Sequence, residues 1–177
     1  MIRRGRYERA GFELYGAAVT AARQRAFYAV IGVPDTLDGR FDMIAIFVFL
    51  IINRLTREPS PGPELAQAVF DALFSDMDVN LREMGVGDLT VGRKVRVMWE
   101  AFHGRSASYA AALRDGDVAA LEAALGRNVW RDGSPPDGAA RALGQVVIEA
   151  NAHLDRQSLA DLTRGIVDFP AVKDQGR

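Results

Sequence analysis

The sequence predicts an all-α protein: a single compact domain of about six to seven helices around one central apolar helix, at about residues 41–55. Three observations predict it. No run of alternating apolar and polar residues lies between turn residues, so strand signals are nearly absent. Apolar residues recur instead at helical spacing along most of the chain. Groups of Gly, Pro and Asp interrupt the periodic stretches where helices should stop.

A first helix is expected from about Tyr7 to Ile31, with Phe12, Tyr15, Val19, Ala22, Ala26 and Ala29 near one face. Gly32-Val33-Pro34-Asp35 ends it, because Pro34 lacks a donor and restrains Val33 to extended geometry. Asp38 can cap the second helix, which runs to about Thr56. This helix is apolar on all sides, so it belongs at the centre. One stripe is Phe41, Ile44, Val48, Ile51 and Leu55; another is Ile46, Phe49 and Leu50.

The Pro59–Pro63 loop follows, with Pro63 suited to open a third helix carrying Leu65, Val69, Leu73, Met77 and Leu81. Gly85-Val86-Gly87 ends that helix, and Asp88 or Thr90 can cap the fourth. There Val91, Val95, Met98 and Phe102 form the expected buried stripe, joined by Trp99. Asp115-Gly116-Asp117 is a break, followed by a shorter helix to about Val129 built on Val118, Leu121 and Leu125. The 131–138 segment reads as a loop. The next helix spans about Ala139–Arg156 with Leu143, Val146, Val147, Ala150 and Leu154 inward, and Ser158 caps a short last helix through Ile166. No internal repeat and no long linker divides the chain, so residues 1–170 are expected to form one domain and 171–177 a frayed tail.

At 177 residues the chain can bury a sizeable core. Its formal net charge of −1 provides no global field for nucleic acid, and no specific DNA partner is expected. Absence of cysteine excludes disulfides, thiolate catalysis and cysteine-ligated metal clusters. The basic residues are nearly all arginine, Lys94 and Lys173 being the only lysines, which with abundant Ala and Gly suggests a GC-rich bacterial genome. Arg3, Arg4, Arg6 and Arg9 are not followed by a signal-peptide core. The most apolar run, Met43 to Ile52, is about half the length of roughly 20 residues that a bilayer span needs. A cytoplasmic protein is expected, with contact at the inner face of the membrane left open.

The segment from Phe74 to Arg96 is the most informative. Asp71, Asp76, Asp78 and Glu83 precede the glycine turn, and Arg93, Lys94 and Arg96 follow it. This is a helix–turn–helix corner with opposite charges on its arms, suited to holding another protein. Asp76-Met77-Asp78-Val79-Asn80 opens like a calcium loop, but Leu81 stands where glycine is needed and Gly87 where a bidentate Glu is needed. Gly85-Val86-Gly87 follows a helix rather than a strand, so it is no dinucleotide turn. His103 and His153 lack ligand partners at helical spacing, which argues against zinc, and no cofactor is expected. No serine sits in a nucleophile elbow and there is no Walker lysine. The face of Phe47, Phe49 and Ile52 is either core or a groove for a client's apolar segment.

Two blocks carry a family resemblance. The first is Ala26-Phe27-Tyr28 with Gly32-Val33-Pro34-Asp35-Thr36-Leu37-Asp38-Gly39-Arg40-Phe41-Asp42. The second runs from Phe74-Ser75-Asp76-Met77-Asp78 through Leu81-Arg82-Glu83-Met84-Gly85-Val86-Gly87-Asp88 to Phe102-His103-Gly104-Arg105 and Tyr109. Together they resemble the ubiquinol–cytochrome c chaperone family over roughly Leu14 to Leu125. The resemblance implies an all-helical, non-enzymatic assembly chaperone for respiratory complex III. It implies a membrane-protein client, cytochrome b or similar, along with a small partner protein and ribosome contact. The expected partner-binding residues are Phe47, Phe49, Asp76, Asp78, Arg82, Glu83, Asp88, Arg93, Lys94, Arg105 and Tyr109.

Two other readings remain. A small helical enzyme or ligand-binding domain would need an enclosed polar cavity holding a strongly shifted Asp or Glu. A ribosome- or RNA-associated module would need the N-terminal arginines and the Arg93–Arg96 face to form one patch.

Overall fold

The computed structural model describes residues 5, 7–131 and 133–172. Among them eight helices occur and no strand: α1 Glu8–Ala22, α2 Arg25–Ala29, α3 Leu37–Thr56, α4 Gly62–Glu83, α5 Asp88–Asp115, α6 Val118–Val129, α7 Ala139–Asp155 and α8 Leu159–Thr163. One hydrophobic core draws on all of them. As expected, α3 is its axis, with Met43, Ile46, Phe47, Val48, Phe49, Leu50, Ile51 and Leu55 all buried. Neighbours α1, α4, α5, α6 and α7 pack around it, which is why an all-round apolar helix is stable here. No helix of the described residues is long and apolar enough to cross a membrane.

The single first helix expected over Tyr7–Ile31 is two. Gln24 is extended, and its side chain holds the break by donating to the Ala21 carbonyl at 3.2 Å and accepting from the Val172 N–H at 2.8 Å. Tyr28 donates to the Ala22 carbonyl at 2.9 Å, occupying a backbone group that the end of α1 leaves free. The turn drives Phe27 fully into the core. Burial of an aromatic side chain outweighs the propensity of this alanine-rich stretch to continue as one helix.

The inward face of α1 also differs from the one predicted. Leu14, Tyr15, Ala18, Ala21 and Ala22 are buried, whereas Phe12 and Ala29 are exposed. Small residues let α1 lie close on α4: a Cβ added at Gly11 would come within 2.7 Å of Ala68. Thr36, not Asp38, caps α3 by accepting the Gly39 N–H at 3.1 Å. Neither Asp88 nor Thr90 caps α5, whose N-cap is Gly87. The expected cap of α8, Ser158, is present, and Asp117, read beforehand only as part of a break, caps α6 by accepting the Ala120 N–H. Val118 is exposed, and α8 stops at Thr163, short of Ile166, because Gly165 turns left-handed there.

Of the tail expected to fray over 171–177, residues from 173 on lie outside the described residues. Val172 is tied to Gln24, and just before it Phe169 lies edge-on against Phe47 with centroids 5.0 Å apart. Arg54, nearly buried, fastens this end of α3 by donating to the carbonyls of Leu154 and Gln157, both at 3.2 Å, and by pairing with Glu58.

Candidate functional site: a projecting helical hairpin

The second half of α4 and the first half of α5 form a hairpin that leaves the body of the molecule. Leu73 is the last fully buried residue of α4, and between Phe74 and Ala101 only Val91 is fully buried. Gly85, with φ of 80°, makes the left-handed turn at the tip. Its N–H donates to the Arg82 carbonyl at 2.9 Å, and the Val86 N–H donates to the Leu81 carbonyl at 3.0 Å, closing the end of α4. The hairpin is anchored at its base by aromatic side chains. Phe70, Phe74 and Phe102 pack edge-on or tilted with centroids 4.7–6.2 Å apart, and His103 sits between Phe70 and Trp99 at 5.4 and 4.2 Å.

The stripe predicted for the fourth helix is only partly sealed. Val91 and Phe102 are buried and Val95 and Met98 half-buried, but Trp99 is 44% exposed, because no third helix covers this flank. Five of the ten large apolar side chains left exposed in the described residues lie in the hairpin: Val79, Met84, Leu89, Val97 and Trp99. Leu89, beside the turn, is 98% exposed. Val97 and Trp99, two positions apart on α5, face different sides of it, so these side chains are spread over the arm. Sequence reasoning missed Val79, Met84, Leu89 and Val97. The available signal was that Leu89 and Val97 lie opposite the Val91-Val95-Met98-Phe102 stripe, where a solvated face should be polar.

The charged arms are partly self-satisfied. Arg82 pairs with Asp78 at 2.6 Å and also with Asp88, across the turn. Arg96 pairs with Glu100 at 3.1 Å. Asp76 accepts from the Tyr15 hydroxyl at 2.6 Å, so it ties the hairpin to α1. Burial, aided by that hydrogen bond, pushes the Tyr15 phenol well above its ordinary pKa. Glu83, Arg93 and Lys94 have no ion-pair partner among the described residues and remain available to another molecule.

The remaining expected site residues lie elsewhere. The groove expected at Phe47 and Phe49 is filled, with these rings only 2% and 3% exposed. Phe47 is sandwiched by Phe27 and Phe169, and Phe49 meets Tyr109 at 5.6 Å. Phe169 and, from α5, Tyr109 cover the face that would have met a client. Tyr109 is itself buried and accepts from Asn128 at 3.0 Å; burial pushes its phenol up to about 12. Arg105 turns inward to Asp42.

Asp42 is the most enclosed charge among the described residues, at 3% exposure, and pairs with both Arg105 and Arg131. Burial pushes its carboxyl above the ordinary range, against the pull of the two guanidiniums. Its Oδ2 has no partner within the described residues. The void beside it, against Ser106 and Tyr109, measures about 10 Å³, room for about one water and no substrate. A larger cleft of about 530 Å³ opens between Val30, Pro136, Val146 and Val172, but its carboxylates, Asp137 and Glu149, are exposed. Neither space combines an enclosed, substrate-sized cavity with a buried carboxylate.

With the hairpin and core in place, comparisons with known proteins are decisive about kinship. The model of the family described as ubiquinol-cytochrome C chaperone matches residues 29–169, which include all of the hairpin. The chain belongs to that family. A curated relative, ubiquinol-cytochrome-c reductase complex assembly factor 1 of Xenopus laevis, is 24% identical over 120 residues. That match takes in 68% of this chain and 60% of the relative, so the chain spans about three fifths of the relative's length. Among solved structures, the crystal structure of the Cbp3 homolog from Brucella abortus matches with a TM-score of 0.85 at 36% identity, covering 96% of this chain and 93% of that one. The family's all-helical fold is therefore the fold of this chain.

Proposed function

We propose that this chain is a non-catalytic assembly chaperone of ubiquinol–cytochrome c reductase, and that its hairpin holds an apolar segment of a membrane-protein subunit, cytochrome b, during biogenesis. The observation that carries the reading is the display of Val79, Met84, Leu89, Val97 and Trp99 on an arm that is only partly covered by the core. An amphipathic arm of this kind can cover a client helix by burying apolar area. Glu83, Arg93 and Lys94 would set orientation, since rim charges contribute more to register and encounter than to affinity. Membership in a family named for chaperoning this enzyme supports the choice of client. Contact at the inner face of the membrane would bring the hairpin to such a client.

The enzyme reading loses its main support, because the buried carboxylate it calls for is committed to Arg105 and Arg131. For the RNA-associated reading, Arg3, Arg4 and Arg6 lie outside the described residues, and Arg9 pairs with Glu13.

The test is capture of partners by tagged protein from host membranes, identified by mass spectrometry. Wild type should enrich cytochrome b, and the double variant Leu89→Ser/Val97→Ser, at two largely exposed positions, should lose it while melting at nearly the same temperature. Capture undiminished in the double variant would remove the hairpin from the proposal. Failure of wild type to enrich any subunit of the enzyme would remove the client.

A further inference from the structure

The outer face of α5 has a pattern that matches itself when reversed. Leu89, Arg93, Arg96, Val97, Glu100 and Gly104 share this face, opposite the stripe that meets α4. Val97 and its neighbour Arg96 sit at the middle. Arg93 and Glu100 are equally distant from that middle and opposite in charge. Leu89 and Gly104 are also equidistant; one is a nearly naked leucine, and the other has no side chain and open space above it.

We propose that this face is covered by a second copy of the chain, with two α5 helices antiparallel across a two-fold axis between Arg96 and Val97. In that arrangement each Arg93 meets Glu100 of the second copy, and each Leu89 settles over Gly104 of the second copy. Val97 and Arg96 of both copies lie near the axis, each Arg96 neutralised by Glu100 of its own chain at 3.1 Å. Self-complementarity of one patch is what a two-fold interface requires. Charge favours this occupant over an anionic surface: Arg93 and Arg96 are offset on the same face by Glu100, and Glu83 and Asp88 flank the turn. Leu89 alone would be ambiguous, but a cation and an anion at equal distances on either side of the centre are not. Arg96 already holds Glu100 at 3.1 Å, so each carboxylate has its second oxygen available for the incoming Arg93. Two helices alone form a small interface, so the association is weak and concentration-dependent. Such a pair would keep Leu89 and Val97 from water when nothing else holds them. The proposal does not depend on the identity of a client, since purified protein suffices to test it.

The experiment is sedimentation velocity of the full chain across a wide concentration series. Wild type should shift from monomer towards dimer as concentration rises. Arg93→Glu and Glu100→Arg should each weaken self-association by about tenfold or more, because like charges then face each other twice. An equimolar mixture of these two variants should recover association, since every facing pair in the mixed dimer is again opposite in sign. Both positions are exposed, and circular dichroism of each variant checks that it is folded. A wild type that stays monomeric at every concentration overturns the proposal, even if anionic vesicles bind the same face. So does a mixture that associates no better than either variant alone.

Discussion

The two halves of α5 follow the same helical period and meet different fates. From Phe102 onward, Phe102, Tyr109 and Ala112 are buried and Arg105 is drawn in to Asp42, because α3 and α6 lie alongside. From Asp88 to Glu100 the helix has α4 on one side only, and Leu89, Val97 and Trp99 are left in water. The difference shows that an apolar stripe specifies a helix but does not say how many neighbours will cover it. The covered half contributes stability. The uncovered half contributes a surface.

The comparison would break most visibly at the covered end. Phe47→Ala should cost about 3–5 kcal/mol in urea denaturation, since it opens a cavity between Phe27 and Phe169. A loss near zero would mean that these rings are loosely packed and the groove reading of Phe47 is alive again.

High pH sharpens the same contrast. The Tyr109 phenol titrates at about 12 in the folded chain, against about 10 unfolded. A raised folded value gives stabilisation that is complete below pH about 10 and is lost as pH climbs through about 12. That rise corresponds to about 2–3 kcal/mol. Unfolding free energy measured between these limits should fall in wild type and fall less in Tyr109→Phe. Identical slopes would show that the phenol is not as enclosed as its packing against Phe49 indicates.

The smallest effect on stability belongs to the uncovered half. Leu89→Ser should change the unfolding free energy by no more than about 0.5 kcal/mol, because Leu89 is almost wholly solvated already. A thermal melt that drops by many degrees would mean that Leu89 has a structural partner and that the hairpin is part of the core.

Much of the fold was legible beforehand. The α3 stripe, the glycine breaks at Gly85 and Gly116 and the cap at Ser158 depend on local chemistry, which a sequence states directly. The split at Gln24 was not legible, because it depends on a tail residue, Val172, at the other end of the chain. The hairpin's charged residues Asp78, Arg82, Glu83, Asp88, Arg93 and Lys94 were legible as a corner. Its apolar residues were not, because Leu89 and Val97 read as incidental until the core is seen to reach no further along α4 than Met77. The expected grouping of Phe47 and Phe49 with that corner failed for the same reason. Apolar character alone does not distinguish a ring that meets a client from one that meets Phe169.

By itself, then, the sequence determined the helical class, the central place of α3, the turns and the opposed charges of the corner, all set by period, caps and residue type within a few turns of chain. Only the tertiary structure decided which apolar faces are covered, where Asp42 finds Arg105 and Arg131, and that the hairpin stands clear. Those outcomes rest on contacts between residues far apart in the chain, and burial is a property of such contacts rather than of any one segment.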